Sequence, residues 1–401
     1  ENDIDLSFVV PKAYGNEPEE DFKLISASNS GITYVDPVTG KRVKGLEEIR
    51  SGSSVSAYIS PEEYSRIKKT PGGRSAGKFN DPEIKGHKFS GHYGNTLFDE
   101  VSWYAAAGGR IAAMIPHDVI HAHDWLTYPA GISAREYSGK PLVVHVHATE
   151  FNRSGENTNR HVFEIEKWGM SEADKVITVS NFTRNTVIER YKIDPAKVVT
   201  VYNAPEPGNT EDAGNKNRNP GRDHIVTFLG RITWQKGPEY FLNAASRVLQ
   251  KMNDTRFIMA GTGDMLEKMI RYAARLKIAG RVHFTGFLRG EDVHRVFSLS
   301  DLYVMPSVSE PFGISPLEAI RQNVPVIISR QSGVSEVLRH AIKVDFWDVD
   351  ALADSIYGVL NYPSLANHLR DYSKSEITRL SWTDSGAGVK SVYNQVLKMT
   401  G

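Results

Sequence analysis

The feature that most constrains this chain is an alternation that runs twice. From residue 118, short apolar runs recur with helically periodic stretches between them: strands at 118–123, 141–147, 175–180 and 197–202, helices at about 128–137, 162–172 and 181–190. A helical stretch at 95–114 comes before them. Strands joined through helices lie parallel and are covered on both faces. Residues 205–223 then carry almost no apolar side chain and read as an interdomain linker. After it the alternation restarts, with strands at 224–229, 256–260, 282–284, 302–305 and 325–328 and helices at 238–251, 265–276, 291–299 and 316–322. Helices at 350–362 and about 383–399 follow. The pattern specifies an α/β chain with two doubly wound, Rossmann-like domains, residues 1–204 and 224–382.

Bulk properties narrow the partners. A chain of 401 residues with 40% hydrophobic content can fill two cores. Lys plus Arg and Asp plus Glu both number 48, and no block of like charge stands out, so a nucleic-acid partner is not expected. There is no cysteine, which excludes disulfides, thiolate catalysis and Cys-ligated metal. No apolar run approaches the roughly 18 residues of a membrane span, and Glu1-Asn2-Asp3 does not begin a signal peptide. A cytoplasmic protein without an integral membrane segment is the expectation. Near the start, 4–10 reads as a strand; residues 12–90 are polar, with weak strands at 23–25 and 31–35.

In doubly wound sheets ligands bind beyond the carboxyl ends of the strands. Beyond 224–229 comes Gly230-Arg231-Ile-Thr-Trp-Gln-Lys236-Gly237-Pro238, where two cations flank a turn feeding a helix N-terminus. Charge, backbone donors and dipole agree in sign there and suit a diphosphate; solvated loop cations are the plainer alternative. Beyond 302–305 comes Ser309-Glu310-Pro-Phe-Gly-Ile-Ser-Pro-Leu-Glu318-Ala319, a tight turn with a carboxylate on either side. Gly313 leaves its backbone open to a ligand. Ser315 and Glu318 also satisfy a capping box, which would make Glu318 structural. Glu310, in a loop at the end of a buried strand, has no such explanation. Gly261-Thr-Gly-Asp264 is equally well explained as a tight turn capped by Asp264.

Histidines come in pairs, His121 with His123 and His145 with His147, each pair sharing one face of its strand. Four imidazoles could hold a metal, or His147 could bind a substrate hydroxyl; Asp124 is the lone carboxylate at ligand-like spacing, and no metal is expected. Asp348-Val-Asp350 looks like a metal-binding Asp-x-Asp, but Asp350 reads better as a helix N-cap.

Taken together, Gly230-Arg231 with Lys236-Gly237, Glu310 and Glu318 around Pro-Phe-Gly, and His121-Ala-His-Asp-Trp125 resemble the retaining family-4 glycosyltransferases of the GT-B fold. Val176-Ile-Thr-Val-Ser180, Val282-His-Phe-Thr-Gly-Phe287 and the segment from Ser381-Trp382 to Tyr393 extend the resemblance over nearly the whole chain. Within that family the sequence is most similar to the glycogen and starch synthase-like group. The resemblance implies an acceptor-side domain at 1–204, joined by the last helix at 383–401, and a nucleotide-sugar domain at 224–382. It implies a UDP- or ADP-sugar donor, a glucan or other carbohydrate or small-molecule acceptor, and no cofactor. Arg231 and Lys236 would neutralise the diphosphate, Glu318 would hold the ribose, and Gly230 would line the same turn. Glu310 with the Phe312-Gly313-Ile314 backbone would hold the sugar, His147 would reach it across the cleft, Asn203 would lie near it, and Leu288 would lie near the nucleobase.

Three departures qualify this. Leu126 stands where the synthases often carry a His after Asp-Trp, and Asn203 is followed by Ala rather than the usual Gly. The family's Gly-rich loop after its first strand is absent, which leads us to expect roughly 30 residues, one strand and one helix, ahead of Glu1. Two other readings share these residues: a GT-B nucleotide-sugar epimerase, and a catalytically inactive sugar-nucleotide or glucan-binding module.

Overall fold

A computed structural model describes residues 4–11, 22–27, 33–35, 42–44, 97–205 and 222–400. The early strands are β1 (Ser7–Val10), β2 (Lys23–Ser26), β3 (Thr33–Val35) and β4 (Arg42–Lys44). Then follow α1 (Leu97–Met114), β5 (Ile120–His123), α2 (Tyr128–Ser138), β6 (Leu142–Val146), α3 (Glu150–Ser154), α4 (Arg160–Glu172), β7 (Lys175–Thr178), α5 (Asn181–Tyr191) and β8 (Val198–Thr200). The second half runs β9 (His224–Leu229), α6 (Pro238–Leu249), β10 (Thr255–Ala260), α7 (Leu266–Arg275), β11 (Val282–Gly286), α8 (Glu291–Leu299), β12 (Leu302–Met305), α9 (Ser315–Arg321), β13 (Val326–Ser329), β14 (Ile342–Val344), α10 (Val349–Asn361), α11 (Pro363–Ile377) and α12 (Trp382–Thr400). Most of the expected linker, 206–221, lies outside the described residues.

The C-terminal half is a parallel six-stranded sheet in the order β11-β10-β9-β12-β13-β14. In chain order this is 3-2-1-4-5-6, the doubly wound arrangement whose strand order reverses between the first and fourth strands, here β9 and β12. Both faces are filled because side chains alternate along each strand. Leu302 and Val304 of β12 point into a core with Phe228, Phe241, Phe257 and Ile356, while Tyr303 and Met305 point into another with Phe297, Leu317 and Ile328. α6 forms where Pro238 fixes the first turn and Phe241, Leu242, Ala245 and Val248 make one buried stripe.

The N-terminal half holds the parallel sheet β5-β6-β7-β8 and a second four-stranded sheet, β1-β2-β3-β4, mixed in direction. One face of β6 packs Leu142, Val144 and Val146 against Tyr128, Ile132 and Ile165 of the neighbouring helices. The other packs Val143, beside Ile177, against Val392 and Val396 of α12. The last helix therefore completes the core of the half from which it is farthest in sequence. The halves are two α/β Rossmann-like units that face one another across a cleft.

Three local expectations are corrected. The helix at 349–361 is capped by Asp348, whose carboxylate accepts from Ala351 N at 2.9 Å, whereas Asp350 lies in its first turn and pairs with Arg247. No capping box opens α9: its cap position is Ile314, without a side-chain bond, and the Ser315 hydroxyl pairs with Tyr303 Oη at 2.8 Å. Asp264 does not cap α7, whose cap position is Met265. β14 and α11 fall where the apolar pattern places no element.

Candidate active site

Gly230 and the residues after it leave β9, and Pro306 and the residues after it leave β12, so both loops emerge at the point where the sheet order reverses. Gln235 joins them. Its backbone carbonyl accepts from Val308 N at 2.9 Å and its side-chain amide donates to Ser309 O at 3.0 Å, while its side chain is buried. Gly237 sits at φ 67°, and a Cβ there would lie 2.1 Å from Pro306 O, so only glycine lets the two loops approach this closely. A third loop braces the first: Ile232 N donates to Thr262 O at 2.8 Å, and a Cβ on Gly261 would meet Gly230 O at 1.9 Å. The Gly-x-Gly at 261–263 is thus a close-approach feature rather than a capped turn.

On this scaffold Lys236 Nζ lies 2.5 Å from Glu310 Oε2, and Ser307 Oγ donates to the same oxygen at 3.3 Å. Glu310 is only 5% exposed, a carboxylate that burial alone would make costly. Its backbone is tied as well, with Glu310 N donating to Gln331 O and Gly333 N to Glu310 O. Arg231 is exposed and, among the described residues, held only by a 3.5 Å contact with Gln235 Oε1. Phe312 and Gly313 are buried; Ile314 and Glu318 are partly exposed at the head of α9. Leu288 lies half-buried just past β11.

The opposite wall reaches the same loop. α3 opens with a capping box in which Asn152 Oδ1 accepts from Thr149 N at 2.8 Å, leaving its NH2 to donate to Ser309 Oγ at 2.8 Å. Ser180, the N-cap of α5, donates to Pro311 O at 2.5 Å, and Thr183 Oγ1 donates to it at 3.2 Å. Glu336 accepts from Asn181 N at 2.9 Å, Phe182 N at 2.6 Å and Tyr202 Oη at 2.9 Å, a carboxylate seated on a helix N-terminus. Burial and that carboxylate push Tyr202 up to about 12. Asn203 follows Tyr202, half-buried. Residues 309–313 are therefore gripped from both halves.

His147 stands at the exit of β6, two residues before the cap of α3. Asp124, itself at φ 58°, accepts from His147 N at 2.8 Å and Ala148 N at 3.3 Å, so the carboxylate of His-Ala-His-Asp-Trp is spent on orienting this turn. His147 Nε2 bonds His123 Nδ1 at 2.9 Å, and the four histidines form a stacked array with ring centroids 4.3–5.4 Å apart. Burial holds His121 and His145 well below the usual imidazole value, and desolvation by the surrounding protein together with the His147 ring brings His123, whose edge still meets solvent, down to about 4.

The expected residues thus fall on two facing walls: Gly230, Arg231, Lys236, Leu288, Glu310, Phe312, Gly313, Ile314 and Glu318 on one, His147 and Asn203 on the other. Gln235, Asn152, Ser180 and Glu336, which organise the cleft, have no signal in the sequence beyond Gln235's place between two cations and Ser180's place at the end of Val176-Ile-Thr-Val-Ser180. The arrangement presents cations and a fixed carboxylate to one space beside the starts of α6 and α9. It can hold an anionic group and a hydroxyl-rich group side by side.

Comparison with known proteins agrees with this architecture. The family described as "Glycosyl transferases group 1" matches residues 209–376, and "Glycosyltransferase Family 4" matches residues 72–207. An uncharacterised glycosyltransferase of Methanocaldococcus jannaschii is 29% identical over 302 residues, 71% of this chain and 77% of that one. A glycogen synthase of Mycobacterium tuberculosis is 26% identical over 376 residues, 88% and 86% of the two chains. Among solved structures, Anabaena HepE in complex with UDP-glucose superposes with a TM-score of 0.63 at 18% identity, covering 72% of this chain and 82% of that one. At that identity the likeness speaks to the fold alone.

Proposed function

We propose, from the premise that the chain is a GT-B-fold protein related to the group 1 and family 4 glycosyltransferases, that it moves a hexosyl unit from a nucleoside diphosphate sugar to an acceptor hydroxyl with retention. The observation that carries this is the joining of Lys236 to Glu310 at the point where the sheet order reverses, with Arg231 on the same loop as Lys236. In this reading Arg231 and Lys236 hold the diphosphate, Glu318 the ribose, and Leu288 lies by the base. Glu310, the Phe312–Ile314 backbone, His147 and Asn203 surround the sugar, for which glucose carried by UDP or ADP is the first choice. Residues 224–382 form the donor half, and 1–204 with the last helix form the acceptor half.

As the nucleotide leaves, negative charge builds on its phosphate. A cation about 4 Å away contributes on the order of 4 kcal/mol at an effective dielectric near 20, before desolvation is subtracted. Two such cations replace the role of a metal in the transfer step. The leaving phosphate accepts the acceptor's proton on the same face of the sugar, so Glu310 serves as a hydrogen-bonding and electrostatic partner rather than a nucleophile.

The resemblance to the glycogen synthase of M. tuberculosis supports a glucan as the first acceptor to test. The test incubates UDP- and ADP-glucose with a glucan and with small acceptors and follows the anomeric proton by NMR. Acceptor-dependent release of nucleotide with an α-configured product supports the proposal. Donor conversion without acceptor would replace it with the epimerase reading, and donor binding without turnover with the binding-module reading.

A further inference from the structure

The donor cleft uses His147 but leaves the other three histidines of the array unexplained. One ligand-capable atom from each of His121, His123 and His145 lies within 4.8 Å of the others. Among the described residues, ring nitrogens of the inner two have nothing to bond: His121 Nε2 and both nitrogens of His145 are buried without a hydrogen-bond partner. Nature rarely leaves buried polar atoms in this condition, and three on adjacent rings call for a shared partner. We propose that His121, His123 and His145 form a binding site for a divalent transition metal, zinc foremost.

The chemistry of the donor set selects the class of ion. Imidazole suits zinc, copper and nickel, whereas magnesium and calcium take oxygen ligands, and the carboxylate next to His123 in the chain, Asp124, is committed to backbone amides. Zinc at 2.0–2.1 Å from each nitrogen in tetrahedral geometry needs nitrogens about 3.3 Å apart, so the stacked rings must turn toward the ion as it binds. Three protein ligands leave a fourth position for water or an exchangeable group.

The outer bonds fit the same picture. His121 Nδ1 meets Tyr393 Oη at 2.5 Å, leaving Nε2 for the metal. His123 spends Nδ1 on His147 Nε2, leaving its own Nε2. A neutral His123 ligated through Nε2 keeps its proton on Nδ1 and donates it to His147. The metal is thereby linked to the cleft wall through one hydrogen bond and to α12 through another. The site stands whether or not the transferase reading holds, since it rests on the strands β5 and β6.

The test titrates the metal-stripped full chain with Zn2+ alone and, in parallel, with Co2+. The expected result is one equivalent bound with Kd below about 10 μM, visible absorption from four-coordinate cobalt, and weakening on the order of 100-fold in His145→Gln and His121→Gln. His283→Gln, an exposed histidine on β11, should bind like the parent. Should either inner variant fail to fold by circular dichroism, His123→Gln, at the exposed corner of the array, carries the comparison. Binding weaker than that limit, or binding that the array variants leave unchanged, overturns the proposal.

Discussion

The ion pair between Lys236 and Glu310 makes the sharpest quantitative case. At 2.5 Å and an effective dielectric of 20, the gross attraction is about 7 kcal/mol, against which stands the desolvation of both ions, several kcal/mol each. The two partners are not equally placed. The Glu310 side chain is 7% exposed and the Lys236 side chain 21%, so an abandoned lysine can reach water where an abandoned glutamate cannot. Lys236→Met should therefore cost about 3–5 kcal/mol, the penalty for leaving a buried charge uncompensated. Glu310→Gln should cost about 1.5 kcal/mol, since the amide still bonds Ser307 and the ammonium is partly hydrated. The double variant should be no less stable than Lys236→Met alone, with a coupling of about 2 kcal/mol. Urea unfolding followed by tryptophan fluorescence reads all three. Strictly additive losses, or Lys236→Met as stable as the parent, would refute a closed pair in the unliganded protein and with it the electrostatic picture of the cleft.

Other perturbations separate binding from scaffolding. Arg231→Ala should weaken nucleoside diphosphate binding in calorimetry by about 10–100-fold while leaving the melting temperature within about 1 °C, because the side chain is exposed and makes one long contact among the described residues. Glu336→Gln should cost about 0.5–2 kcal/mol and, read by hydrogen exchange, speed the amides of Asn181 and Phe182; unchanged exchange there would contradict the seating of that carboxylate on the N-terminus of α5. Gly237→Ala combines a left-handed backbone with a Cβ 2.1 Å from Pro306 O and should cost about 2 kcal/mol or more in urea unfolding; a neutral result would mean the two loops are not in contact.

The fold was written in the sequence because strands buried on both faces leave uninterrupted apolar runs, as Leu302-Tyr303-Val304-Met305 does, and helices leave a stripe, as Phe241, Leu242, Ala245 and Val248 do. β14 escaped because three residues with a lysine in the middle carry no period. Caps were the weak point. Asp348 and Asp350 are both chemically able to cap, and the backbone angles at the helix start decide between them. Ser315 has the spacing of a capping box, but the buried Tyr303 hydroxyl needs a partner and takes it.

For the cleft, charged residues at strand ends were legible, since cations and carboxylates at such positions are hard to explain by packing. The uncharged organisers were not. Asn152 and Ser180 look like ordinary helix-start residues, and both are so. Their second bonds, to Ser309 and Pro311, depend on the approach of a loop more than 120 residues away in sequence, which no local pattern records. The histidines gave their shared face to the sequence and their missing partners only to the structure.

The central claim is that the walls carrying Arg231 and Lys236 receive a nucleotide sugar. Calorimetric titration of the full chain with UDP-glucose and ADP-glucose tests it most directly, each repeated on Arg231→Ala. We predict saturable binding of one of the two at one equivalent per chain and its loss or marked weakening in the variant. Absence of binding for both donors, or binding that Arg231→Ala leaves untouched, would contradict the claim.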